Sequence, residues 1–174
     1  MRKIIPVAML LVVMFLFTSV FAQSTSTSVG VPSAGQHAFE LVGRIDQQLF
    51  NTTAFGYVTY INGVPAEDLF GENAPAMMRG EADARITFFG TGISTSRSIY
   101  ENIFQAVLPV ELTFYYSETP AGASFDNPDL FKSGTPIATF NLRMQTILNV
   151  QEPNVGVLMG SGESTQNLAE AFTL

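Results

Sequence analysis

Between Thr135 and Val150 the chain reads TPIATFNLRMQTILNV, and side-chain character switches at almost every residue. Ala138, Phe140, Leu142, Met144, Thr146, Leu148 and Val150 take the even positions, and all but Thr146 are apolar. Thr139, Asn141, Arg143, Gln145 and Asn149 take odd positions, where Ile137 and Ile147 are the apolar members. Successive side chains of a β-strand point to opposite faces, so this period of two describes an extended strand with one buried and one wet face. A helix of about 3.6 residues per turn would scatter the same apolar residues around its circumference. The run is far longer than the usual strand of about 5–6 residues. Gly134 and Pro136 open it and Pro153-Asn154 closes it. A two-faced strand of that length belongs in a barrel or a sandwich, the architectures that bury one face of a long sheet.

The same alternation recurs along the chain. From His37 to Asp46, Phe39, Leu41 and Ile45 oppose Glu40, Arg44 and Asp46. Asn51 to Ile61 is rich in Thr, Tyr and Phe, with Phe55 and Tyr57 on one side and Val58 and Tyr60 on the other, so cover is expected on both faces. Asn62-Gly63 signals a turn. From Glu81 to Phe89, Ala82, Ala84, Ile86 and Phe88 are expected to face in, and Glu81, Asp83, Arg85 and Thr87 out. Ser94 to Val107 reads as extended but mixed in polarity, with room for a bulge. Leu108 to Ser117 alternates cleanly, with Leu108, Val110, Leu112 and Phe114 on one face. Val155 to Met159 reads as a Gly-rich strand, while Thr165 to Leu174 fits either a last strand or a short helix. Loops are expected at 62–80, with a helical turn at Ala66–Phe70, and at 118–134.

About seven or eight strands follow, joined by turns and without helices long enough for parallel crossovers. The expected fold is all-β: a single antiparallel β-barrel, with a β-sandwich as the alternative. In length, leader and strand count the chain is similar in overall shape to the small exported barrels of the lipocalin and allene oxide cyclase-like types. It has no Trp, hence no lipocalin Gly-x-Trp motif, and matches none of the cyclases' catalytic residues. The resemblance is therefore one of shape, and no site residue is carried over from it.

The N-terminus reads as an export signal. Arg2 and Lys3 precede an apolar run from Ile4 to Phe17, and Val20 and Ala22 are small residues placed for cleavage before Gln23. Residues 1–22 are thus expected to be a signal peptide, 23–36 a flexible Ser/Thr-rich leader, and 37–174 one β domain. The run is shorter than the ~20 residues needed to span a bilayer, so no stable membrane insertion is expected after cleavage. A secreted or periplasmic location follows as the expectation. The chain has no cysteine, which excludes disulfides and a lipoprotein anchor. Six basic residues against fifteen acidic ones after cleavage argue against nucleic acid as a partner. An outer-membrane barrel is disfavoured by the missing Trp girdle and by Glu170, which shares a face with Phe172 and Leu174.

Chemistry-bearing constellations are sparse. His37 is the only histidine and there is no cysteine, which leaves little for a zinc site or for a Ser-His-Asp triad. Glu81, Asp83 and Arg85 would form an acid/base row on one strand face, with Tyr57 and Tyr60 as further polar groups for an isomerase- or cyclase-type reaction; the plainer reading is a solvated face. Asp126, Asn127 and Asp129 offer oxygens for Ca²⁺, but Asx-Pro clusters are ordinary turn makers and the spacing is not that of an EF-hand. Asn51-Thr52-Thr53 is a formal glycosylation acceptor. Gly90-Thr91-Gly92 and Gly160-Ser161-Gly162 do not lead from a strand into a helix, so no phosphate cradle and no cofactor is expected. What remains is apolar. Phe39, Phe55, Tyr57, Phe88, Phe114, Phe140, Leu142 and Met144 are expected to converge on the barrel interior, either as a packed core or as a site for one small apolar molecule.

Overall fold

Two-residue alternation builds nearly the whole of the structure. In the computed structural model, which describes residues 37–71, 74–153 and 155–170, there are seven strands. They are β1 (Phe39–Gln48), β2 (Asn51–Ile61), β3 (Ile86–Ile93), β4 (Ser96–Tyr100), β5 (Ile103–Tyr116), β6 (Thr135–Glu152) and β7 (Val155–Ala169). The expected signal peptide and leader lie outside the described residues.

All seven strands join one antiparallel sheet in the order β1-β2-β3-β5-β6-β7, with β4 paired to β5. β5 is long enough to serve two neighbours on one side: Ile103–Val107 pair with β4, and Val110–Tyr116 pair with β3. The fold is thus all-β and barrel-like, and the single sheet replaces the sandwich alternative. It is a half-barrel. Among the described residues β1 and β7 end the sheet without pairing to each other, since six strands across fall short of the roughly eight that close a small barrel.

The direction of curl is set by aromatic contacts. The rings of Phe39 on β1 and Phe114 on β5 are 5.9 Å apart although β2 and β3 lie between them. Three strand spacings of about 4.8 Å would separate them in a flat sheet, so the sheet bends toward that face. Gly43 and Gly56, paired with each other, make the bend possible. A Cβ at Gly43 would stand 2.7 Å from the Phe88 ring, and one at Gly56 2.9 Å from it. The ring of Phe88 lies in the space those glycines leave.

β6, the alternating run, is the longest strand at 18 residues. Its even side chains from Ala138 to Val150 are half-buried, while Asn141, Arg143 and Gln145 are exposed. Ile137 breaks the pattern and is buried. Pairing shifts between Phe114 and Tyr115, so Phe114 faces Ala138 and Tyr115 faces Pro136, which leaves Ile137 as the extra residue of a bulge.

Both faces of β2 are covered, as its two-sided apolar sequence implies. Val58 is buried against Ile86 and Phe88 on the concave side. Phe55 is buried on the convex side by a strap from the 118–134 loop, where a 3-10 segment, Pro128–Lys132, brings down Phe131 beside Phe125 and Ala123. The hydroxyl of Thr87 donates to the Phe131 carbonyl at 2.8 Å. The turn expected at Ala66–Phe70 is the 3-10 segment Ala66–Leu69.

Three local expectations need correction. Glu81–Asp83 is a 3-10 turn rather than strand, and β3 begins only at Ile86. The Gly80 amide donates to the Asp83 carboxylate at 3.3 Å, so a local side-chain bond outcompetes the ladder. Ser94–Val107 holds a hairpin: β4 turns into β5 at Glu101-Asn102, with Glu101 at φ 52° and the Asn102 amide bonded to Asn149 and Val150. Val155–Met159 and the start of the tail form one continuous strand.

Candidate functional site

Register divides the side chains into two sets. One row runs Gly43, Gly56, Phe88, Phe114, Ala138 and Ala169 across six strands. The next runs Ile45, Ala54, Gly90, Leu112, Phe140 and Gln166. These rows and those that continue them past Val110–Leu142 and Leu108–Met144 point to the concave side. Of the residues expected inside, Phe39, Phe88, Phe114, Phe140, Leu142 and Met144 meet there. Phe55 and Tyr57 do not: Phe55 shares a row with Arg44 and Phe89, and Tyr57 with Val42 and Thr87, on the strap-covered convex side.

The concave face is graded. Its floor is aromatic and closed, with Phe114 at 5.9 Å from Phe88 and 5.4 Å from Phe140 between ring centres. Leu108, Val110 and Leu112 are buried beside it, whereas Phe140, Leu142, Met144 and Leu148 are only half-buried. Phe104 and Leu148, paired across β5 and β6, carry the strip to the far end of the sheet. From Phe140 to Leu148 the strip is about 27 Å long, at roughly 3.4 Å per strand residue. Leu108, Val110 and Phe104 were not singled out from the sequence as site residues, although the parity of Leu108, Val110, Leu112 and Phe114 already aligns the first two. At the hairpin end, the hydroxyls of Thr52 and Ser94 are buried without a hydrogen-bond partner.

The titratable candidates are spread elsewhere. Tyr57 is buried, which pushes its phenol pKa above the ordinary 10.0, and the charge of Glu81 pushes it the same way. The Tyr60 hydroxyl donates to Asn62 at 3.3 Å. Asp83 and Arg85 line an open cleft of about 540 Å³ with Phe70, Glu118 and Pro120. Arg85 is a clamp there: it donates to the carbonyls of Glu118 (3.1 Å) and Asp68 (3.2 Å) and to the Tyr116 hydroxyl (2.5 Å), which ties both long loops to the sheet. His37 is exposed, 3.3 Å from the Glu40 carboxylate.

The oxygen-rich loop serves the strap. The Asp126 amide donates to the Ser124 hydroxyl, the Asn127 amide to the Ser124 carbonyl, and the Asp129 carboxylate pairs with Lys132 at 2.7 Å. No group of three or more His, Cys, Asp or Glu gathers among the described residues. Nor is any helix among them long and apolar enough to cross a membrane.

The geometry defines an all-β open half-barrel with an apolar, graded concave face. No protein-family model, curated protein or solved structure matches the chain significantly.

Proposed function

We propose that this chain is an exported, non-enzymatic binding protein whose concave face takes one elongated apolar molecule. The observation that carries the reading is the half-buried strip of Phe140, Leu142, Met144 and Leu148 above a closed aromatic floor. A packed core would bury that strip as deeply as it buries Phe88 and Phe114, and an unused outer face would be polar, as Asn141, Arg143 and Gln145 are on the other side of the same strand. Export rests on the N-terminal signal pattern. An isomerase- or cyclase-type enzyme has less support, because Tyr57 points to the convex side and Asp83 and Arg85 are engaged in loop contacts.

The test is saturable binding of a fluorescent fatty acid to the chain purified without detergent, together with native mass spectrometry of the same material. Leu142→Glu and Met144→Glu, both at half-exposed positions, are expected to weaken binding at least about tenfold, a loss of roughly 1.4 kcal/mol, while leaving the unfolding midpoint nearly unchanged. Non-saturable uptake, or equal affinity in both variants, would refute the reading. Recovery of a chemically altered fatty acid would favour the enzyme.

A further inference from the structure

The two ends of the sheet are built differently. β1 carries Glu40, Arg44 and Asp46 in ten residues, with the Arg44 and Asp46 side chains paired at 2.7 Å, and its pairing slips at Glu40/Leu41. Charges and a bulge are the usual guards of an exposed edge. β7 lacks them over its middle. Its 15 residues include no Lys, Arg or Pro and a single carboxylate, Glu163. Register breaks occur only near its two ends, so Gly156–Gln166 pairs with β6 without interruption, and among the described residues no strand pairs with its outer side. Every residue of the strand is exposed, including Val157 (48 %), Leu158 (56 %) and Met159 (62 %).

We infer that this edge is a homodimer interface: two copies of the chain pair their β7 strands antiparallel about a twofold axis at Ser161, forming one continuous sheet. Self-complementarity argues for a second copy. The register that uses the whole unbroken run puts its midpoint, Ser161, on the axis. Met159 then lies opposite the partner's Glu163, Leu158 opposite the partner's Ser164, Val157 opposite the partner's Thr165, and Gly160 opposite the partner's Gly162. Apolar side chains and glycines are thus spread along the interface, and the two carboxylates stay apart. A register centred on Glu163 would set like charges face to face, which is destabilising. Charge is also balanced locally, because Arg143 sits directly across from Glu163 on β6. The backbone supplies the hydrogen bonds and twofold symmetry needs no other surface. This inference does not depend on what occupies the concave face.

The chain contains no cysteine, so one introduced thiol reports the contact without interference. The mature chain is expected to sediment as a dimer at micromolar concentration. Ser161→Lys, which opposes two ammonium groups on the axis, is expected to weaken dimerisation at least about tenfold, with an unchanged far-UV circular dichroism spectrum as the folding control. Met159→Lys, which faces the partner's Glu163, is expected to retain or strengthen the dimer. Ser161→Cys is expected to give a disulfide-linked dimer on mild oxidation, and Gln47→Cys on β1 is not. A monomeric wild type, or a dimer indifferent to Ser161→Lys, would overturn the inference. So would Ser161→Cys crosslinking only after residues 23–36 are removed, since the leader would then be the strand occupying the edge.

Discussion

At the scale of single residues, Tyr57 joins an apolar role to a titratable end. Its ring packs against Phe70 and Phe125, with centres 6.3 Å and 6.4 Å away. Burial first, and the Glu81 charge second, raise its pKa above 10.0. A raised folded value means that the protonated, neutral phenol is the form the fold prefers. Its contribution is complete below the ordinary phenol pKa and is lost as pH climbs through the folded value. As pH rises above 10.0, urea midpoints of the wild type should therefore fall more steeply than those of Tyr57→Phe. Spectrophotometric titration should show the variant lacking a tyrosine transition above the ordinary phenol value of 10.0. A Tyr57 that titrates at or below 10.0 would contradict this.

At the scale of elements, the strap shows how a loop becomes part of the core. Pro120, Asp126, Asn127 and Pro128 mark the 118–134 segment as irregular, and it is irregular apart from one 3-10 turn. Only a loop is expected there from the sequence, and its one signal for docking, the aromatics Phe125 and Phe131, was not singled out. Phe131 is fully buried, with ring centres 5.4 Å from those of Phe55 and Phe125. Phe131→Ala should cost roughly 3–5 kcal/mol by chemical denaturation, the usual range for deleting a large buried aromatic. A loss below about 1 kcal/mol would mean that the strap does not hold the convex face closed. Less legible were the hairpins. β1 turns into β2 at Leu49-Phe50 with Leu49 at φ 57°, and β4 into β5 through Glu101, neither using the glycine that usually marks such a conformation.

At the scale of the molecule, protection is uneven along the strands. Where β2, β3 and the second half of β5 cross, both faces are covered by the concave aromatics and by the strap. Beyond them, β4 and β7 are exposed along their whole length, and Ile99, Ile103 and Ile147 lie open to solvent. Local opening costs least where few apolar groups are buried. In the Ser161→Lys variant, amides of Phe55–Val58 and Ile86–Phe88 should exchange slowest, and those of Ile99–Ile103 and Val157–Met159 fastest. Uniform protection by hydrogen exchange would show that the extended end is covered by something other than β7 pairing.

Alternation along the chain determined by itself that this protein is all-β and built of long two-faced strands; that they join one sheet rather than two was decided by the tertiary structure. Facing is a property of each strand's own pleat. The strand from Thr135, the two-sided cover of β2 and the shared face of Phe88, Phe114, Phe140, Leu142 and Met144 were all readable on that ground. Small residues misled the same reading at Glu81–Asp83, where Ala82 and Ala84 alternate with acids but Gly80 and Asp83 bond to each other. Tertiary structure alone decided which face is concave, since curl depends on where Gly43 and Gly56 meet the Phe88 ring from another strand. It also decided that Phe55 and Tyr57 belong to the opposite face, because the strap that buries Phe55 comes from more than sixty residues further along the chain. Whether a sheet closes depends on strand number and stagger together, and among the described residues those leave β1 and β7 unpaired with each other.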